Sequence, residues 1–249
     1  MIIVKLGGSI ITDKNKYKTF RLNETENIIK QLININDDFI IVHGGGSFGH
    51  IMAKKYKLPG KLSEKSLNGY TIVHNDMLEL SIKISNLLLK YNINNIGIPV
   101  SSIIYNNKKN YNIFKKYFSM NIMPLSYGDV YLKNQNCLGI YSGDNIVYDL
   151  SRIFKPEKVI FISDVDGIYD KNPKKYSNAK LLKIVNKNNN FKSDNNDVTG
   201  GIMGKYKIMK KISKLGIKTY LINGFYPQRL NLIDNNEFIG TVVWSNAGD

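Results

Sequence analysis

Four short runs in this chain combine glycine with residues that bind or transfer anions. They are KLGGS (Lys5–Ser9), VHGGGSFGH (Val42–His50), SGDN (Ser142–Asn145) and TGGIMGK (Thr199–Lys205). Glycine lets backbone N–H groups approach an anion closely, and a helix N-terminus adds a favourable dipole. One such run is an ordinary tight turn; four of them, two with a lysine attached, ask for a polyphosphate. Two known patterns fit poorly. Gly44-x-Gly46-x-x-Gly49 satisfies the dinucleotide fingerprint, but the acidic residue wanted about 20 residues on, at a strand end, would fall in the strandless KLPGKLSEKSLNGY. Gly200–Lys205 has three residues where the P-loop needs four, and Tyr206 stands in place of its Ser or Thr. Hydride transfer and P-loop hydrolysis both lose ground, and a phosphate grip for other chemistry remains.

The elements that must position these runs follow from periodicity. Strands are expected at Ile2–Leu6, Phe39–Val42, Asn95–Ile98, Val159–Ile162 and Thr219–Ile222, and helices at Glu24–Ile35, Ser47–Tyr56, Leu67–Tyr91, Asn145–Phe154 and Lys205–Leu215. Asn23 and Glu26 resemble a capping box for the first helix, and Gly216 is a stop for the last. This alternation argues for an α/β fold with a largely parallel sheet and helices on both faces. Ligands then collect at the carboxyl ends of the strands, where all four runs lie. Met120–Ile140 reads as shorter strands with turns, a hairpin on one side, and Lys171–Asp197 as a polar, mobile excursion. A change of character near Phe154–Lys158 divides one domain, 1–249, into an N-terminal lobe of about 1–155 and a C-terminal lobe of about 156–249. No internal repeat is found.

The chain has 249 residues, 43% hydrophobic and 22% charged, enough for a sizeable core. No apolar run approaches the ~20 residues of a membrane span. The start MIIVKLGGSI lacks the marks of a secretory signal, and the single Cys137 suits a reducing compartment, so the cytoplasm is expected. The net charge of +15 (35 Lys and Arg against 20 Asp and Glu) suggests anionic partners. The lysines are scattered rather than gathered in a stripe, and no nucleic-acid-binding motif is present. A small anionic substrate is favoured over nucleic acid.

The runs KLGGSIITDK, VHGGGSFGH, SGDN, SDVDGIYD and DVTGGIMGK occur in the order and spacing of the amino acid kinase family, which the chain resembles over nearly its whole length. The resemblance implies an open αβα sandwich and, commonly, a homodimer. His50, directly after GGGSFG, points within that family to a branch whose acceptor is isopentenyl phosphate. The implied reaction is ATP-dependent transfer of the γ-phosphoryl group to it, giving isopentenyl diphosphate, an isoprenoid precursor. The rivals within the same fold use a phosphonate such as fosfomycin, uridylate or an amino acid carboxylate. A nucleotide-binding regulatory protein is a rival of another class, against which Lys5, Lys14, Asp144 and Lys205 argue together.

Joining two phosphates demands positioning and charge neutralisation more than covalent chemistry. Lys5, Lys14 and Lys205 are the cations expected around the transferred group, with Lys205 adding to the dipole where its helix opens. Gly7 and Gly8 are expected to hold β/γ oxygens, with Leu6, Ser9, Gly46 and Gly201 on the nucleotide side. His50 would hold the acceptor phosphate in line, particularly when protonated, with N–H groups from Gly45 and Gly49 and a contact from Gly143. Family likeness and charge logic make Asp144 the residue that orients Lys5 and Lys14. The resemblance places Asp164, Asp166 and Gly167 near the nucleotide. No carboxylate cluster has metal-ligand spacing, so Mg²⁺ should arrive on ATP. Tyr70, Val73 and Met77 recur on one helix face, and Val130 and Ile140 flank the Tyr131–Leu138 hairpin. These five are candidates for an apolar acceptor pocket, although ordinary packing accounts for each equally well. His43 and His74 are read as structural.

Overall fold

The computed structural model describes residues 1–35, 37–106, 108–173, 175–186 and 200–245. Among these, eight strands form a central sheet in the order Ile184–Val185, Thr241–Val243, Lys218–Asn223, Lys158–Ser163, Ile2–Leu6, Phe39–His43, Met123–Tyr127, Asn95–Ile98. The six strands from Lys218–Asn223 to Asn95–Ile98 are parallel, and Thr241–Val243 runs antiparallel beside Lys218–Asn223. This is the α/β sandwich expected. The five expected strands are present within a residue at either end.

Alternation along the first strand decides which side chains reach the site. Ile2, Val4 and Leu6 enter the core packed beneath the helices Leu22–Asn34 and Glu64–Lys90. Ile3 enters the opposite core, beneath Gly143–Phe154 and Gly200–Ser213. Lys5 shares the face of Ile3, because successive strand side chains alternate, so it emerges under the helix that begins at Gly143. The first strand is also where the connection order reverses. The chain leaves it toward Phe39–His43 on one side, whereas Lys158–Ser163 pairs on the other. Loops diverge at such a point and leave a crevice at the strand ends.

Several expectations need correction. Leu22–Asn34 starts after Arg21 with no side-chain cap, and Glu26 is instead taken by Lys90 Nζ at 2.8 Å and by Tyr91. The capping box sits at Ser63 and Ser66, which starts the long helix at Glu64, three residues before the expected Leu67. Met123–Tyr127 is not part of a peripheral hairpin but a wholly buried strand of the central sheet. Pro124 and Ser126 disguised it; the Ser126 hydroxyl is satisfied by donating to Ile98 O at 2.7 Å. The hairpin proper is Asp129–Asn134 with Cys137–Tyr141. Of the polar excursion, Ile184–Val185 joins the sheet edge beside Thr241–Val243; 174 and 187–197 lie outside the described residues. The last helix starts at Gly200 rather than Lys205, and Gly216, at φ +80°, follows its end.

Candidate active site

A cavity of about 910 Å³ opens at the carboxyl ends of the strands. It is lined by Lys5, Gly8, Ser9 and Lys14 from the first connection, and by Gly45, Gly46, Gly49 and His50 from the second. Gly143 and Asp144 line it from the third run, and Gly201 and Lys205 from the fourth. Asp164 also lines it, and Val73, Met77, Val130 and Ile140 give it apolar lining. Thr199 lies outside the described residues.

The first two glycine connections touch through their backbones. A Cβ on Gly8 would lie 2.2 Å from Gly46 N, and Gly46 has φ +49°. Thr12 fastens the pair, donating to Gly8 O at 2.7 Å and accepting from Ser47 N–H at 2.9 Å. Sequence reasoning missed this threonine, whose only signal was its place in SIITDK. Gly143 serves another close approach: a Cβ there would stand 2.8 Å from Lys5 Cε. The lysine passes over it to reach Asp144 Oδ1 at 2.7 Å, in the first turn of the helix capped by Ser142. Charge and dipole both favour the carboxylate there.

Two expected backbone donors are already engaged. Gly7 N–H donates to Ile162 O at 2.7 Å and Gly49 N–H to Gly45 O at 3.2 Å. Gly7 therefore joins strands, and Gly49 closes a helical turn against Met77 rather than offering a free donor. Asp144 was expected to orient Lys14 as well as Lys5, but Lys14 Nζ pairs with Asp164 Oδ2 at 2.6 Å. Ser9 Oγ donates to the other Asp164 oxygen at 2.6 Å. Lys205 stands in the second turn of its helix, so it adds little to the terminal dipole.

Leu6, Gly7, Tyr70, Asp166 and Gly167 stand outside the cavity lining. Leu6 is core. Tyr70 stacks on His74 with centroids 6.3 Å apart. Asp166 is turned to Arg229 at 2.5 Å and Asn223 at 3.1 Å, and Gly167 packs on Thr241. Only the first carboxylate of SDVDG faces the cleft. Asp129, unforeseen because SYGDV reads as a turn, lines the cavity with its carboxylate held by His74 Nδ1 at 2.6 Å and by Val130 N–H at 2.7 Å.

The site is short of negative charge. Burial, then the nearby Lys5, pushes the Lys205 ammonium pKa down despite Asp144 and Asp164. Burial, then Lys5 and Lys205, lowers His50 below the usual imidazole range. Although open to the cleft by surface area, His50 is walled by protein, which is what raises the cost of charging it. That setting disfavours the imidazolium in the protein alone. Burial would raise Asp164, but hydrogen bonds from Lys14 and Ser9 hold it at about 2. Asp144 is likewise kept low by Lys5 and Lys205 against burial. An incoming anion would relieve Lys205 of this unfavourable setting. Among the described residues no group of three His, Cys, Asp or Glu side chains is placed to hold a metal.

His43 is fully buried at its strand end, stacked on Tyr127, with Nδ1 3.1 Å from Gly44 O and no partner for Nε2 among the described residues. A carbonyl only accepts, so Nδ1 carries the proton. Burial lowers this imidazole to about 3. Such a group supports folding fully above the ordinary value of 6.5 and loses that support as pH falls toward 3. The fall in Tm over that acid range is therefore expected to be smaller for His43→Phe than for the parent chain. Equal slopes in the two would contradict the assignment.

Comparison with known proteins supplies an independent line. Residues 1–223 match the model of the amino acid kinase family. An isopentenyl phosphate kinase of Thermoplasma acidophilum is 43% identical over 245 residues, spanning 98% of this chain and 100% of the relative. One from Methanothermobacter thermautotrophicus is 31% identical, over 91% and 92% of the two chains. The crystal structure of an isopentenyl phosphate kinase substrate complex superposes with a TM-score of 0.89 at 39% identity, covering 98% of this chain and 100% of that one. No described helix is long and apolar enough to cross a membrane.

Proposed function

The chain belongs to the amino acid kinase family, and from that premise we propose that it transfers the γ-phosphoryl group of ATP to isopentenyl phosphate, giving isopentenyl diphosphate. One observation carries the reading beyond family membership: Lys5, Lys14, Lys205 and His50 meet at one glycine-walled cavity that the apolar side chains Val73, Met77, Val130 and Ile140 also line. A polyphosphate answers the first feature and a short hydrocarbon the second. A base or an α-amino group would call for Arg or a free carboxylate beside those side chains, and the carboxylate next to Val130, Asp129, is engaged by His74.

In this proposal the acceptor phosphate already carries its nucleophilic oxygen, so no strong base is required. The His50 imidazole donates an N–H to that phosphate, beside Gly45 and Gly143, and keeps it in line. Lys5 and Lys205 neutralise charge on the transferred group, and Lys14 approaches from its exposed loop. Asp144 orients Lys5, while Asp164 and Ser9 hold Lys14 until a phosphate competes for it. Gly8, Ser9, Gly46 and Gly201 border the nucleotide. Val73, Met77, Val130 and Ile140 enclose the hydrocarbon, and Tyr70 backs them through His74. The lobe 1–155 would then serve the acceptor and 156–249 the nucleotide. Mg²⁺ carried on the ATP phosphates adds charge neutralisation, held by phosphate oxygens and water. A homodimer and a cytoplasmic location belong to the same reading.

A coupled assay for ADP release tests it with isopentenyl phosphate, dimethylallyl phosphate, fosfomycin, uridylate and glutamate as acceptors. Isopentenyl phosphate is expected to give the highest kcat/KM. Turnover of uridylate or glutamate alone would overturn the acceptor while leaving the fold intact, and preference for fosfomycin would favour the phosphonate rival.

A further inference from the structure

The loop 13–19 presents Lys14, whose side chain is 59% exposed and reaches Asp164 from open solvent. At its base the loop is closed by Asp13 N–H donating to Thr19 O at 3.0 Å and by the bridge between Thr12 and Phe20. At its far end two consecutive residues cross to a single carboxylate on the long helix. Tyr17 OH donates to Asp76 Oδ2 at 2.5 Å, and Lys18 Nζ lies 3.1 Å from Asp76 Oδ1. Lys18 also pairs with Glu79, whose other oxygen is 3.4 Å from Lys83 Nζ.

Asp76 is only 5% exposed, so this is a buried carboxylate satisfied on both oxygens rather than a loose rim pair. Lys18 takes φ +54° to reach it, a conformation that a lysine holds only when its surroundings compel it. On the helix, Asp76 precedes Met77, which packs under Gly45 and Gly49, and follows Val73 by three residues. The same turn of helix therefore lines the acceptor end of the cavity and anchors the loop of a cation expected at the reacting phosphate. Its contacts lie outside the cavity lining.

We propose that Asp76 is a positioning residue, which through Tyr17 and Lys18 ties the Lys14 loop to the helix lining the acceptor cavity and so sets Lys14 over the transferred phosphoryl group. This rests on the kinase reading above and adds to it a residue that touches no reactant. It links acceptor seating to cation placement, since the helix that bears Val73 and Met77 also holds the loop.

The test uses full-length Asp76→Asn and Tyr17→Phe, each made alone and together with Lys14→Met. Tyr17 is 41% exposed, so its phenylalanine variant removes one arm of the tie without emptying a core site. Two readouts are taken. In amide hydrogen exchange, residues 13–19 are expected to exchange faster in both variants while the central strands keep their protection. In kinetics, with whichever acceptor the parent enzyme uses, kcat is expected to fall at least about tenfold for Asp76→Asn with KM for ATP unchanged. In the Lys14→Met background the same change should have almost no further effect, because the residue it positions is gone. Unchanged exchange, or equal losses with and without Lys14, overturns the proposal. If no acceptor is turned over the kinase reading falls instead, and the exchange result still decides whether Asp76 holds the loop.

Discussion

Lys5→Met is expected to lower kcat by about 10²–10³-fold, the loss typical of a preorganised electrostatic donor removed from a reacting centre. Lys5 is 4% exposed, its stem runs over the bare backbone of Gly143, and its ammonium is fixed 2.7 Å from Asp144. Methionine keeps most of the stem, so packing survives while the charge goes. The Asp144 carboxylate, now without its partner, would repel the phosphoryl group it formerly helped to receive. Adding Asp144→Asn to Lys5→Met is therefore expected to leave kcat no lower than in Lys5→Met alone. In the otherwise unaltered chain, Asp144→Asn should cost less than Lys5→Met, because the ammonium remains and loses only its orientation. Steady-state kinetics of the four proteins settle the matter, and losses that simply multiply would show Asp144 acting independently of Lys5.

His50→Ala is expected to produce a loss of comparable size confined to the acceptor half of the reaction. Nucleotide binding, followed by calorimetry, should stay near that of the parent, because the imidazole is assigned to the recipient phosphate. Equal damage to ATP binding would contradict that assignment. The pH dependence follows from the lowered pKa of this group. A depressed value leaves the imidazole neutral at and above its ordinary 6.5 in the free enzyme. If catalysis needed the imidazolium in the free enzyme, kcat/KM for the acceptor would fall with rising pH throughout that range. A neutral donor predicts no such fall, and a profile declining from pH 6.5 upward would refute it. His50→Gln, which retains an N–H donor, should recover part of the loss.

Much of this site was legible because its chemistry depends on residue types at strand ends. Two of the four glycine runs could be placed by the apolar strands directly before them, and two of the three cations, Lys5 and Lys205, stood inside the runs. Partnerships were harder. Lys14 was assigned to Asp144, yet spatially it faces Asp164, since one carboxylate lies above the Lys5 face of the sheet and the other above the next strand. Gly7 and Gly49 looked like anion donors, and only the hydrogen-bond pattern reveals that strand pairing and a helical turn use them. Met123–Tyr127 escaped because a proline and a serine broke its apolar run, although burial on both faces would have suited a plainer sequence. Asp76 gave no signal at all. In the long helix it is one more polar residue, and its importance comes from Tyr17 and Lys18, 59 and 58 positions earlier in the chain.

The meeting of Gly8 and Gly46 carries a consequence for how the reactants find each other. With main chain pressed on main chain and Thr12 pinning both, the loop proposed for the donor phosphates and the loop proposed for the recipient phosphate are fixed directly against each other. On the proposed reading, peptide geometry then sets the separation between the two phosphates, leaving side groups and outlying loops to adjust around them. Enlarging either glycine by a single methyl would prise the two halves apart and set the reactants at the wrong spacing, even with every charged group still in place.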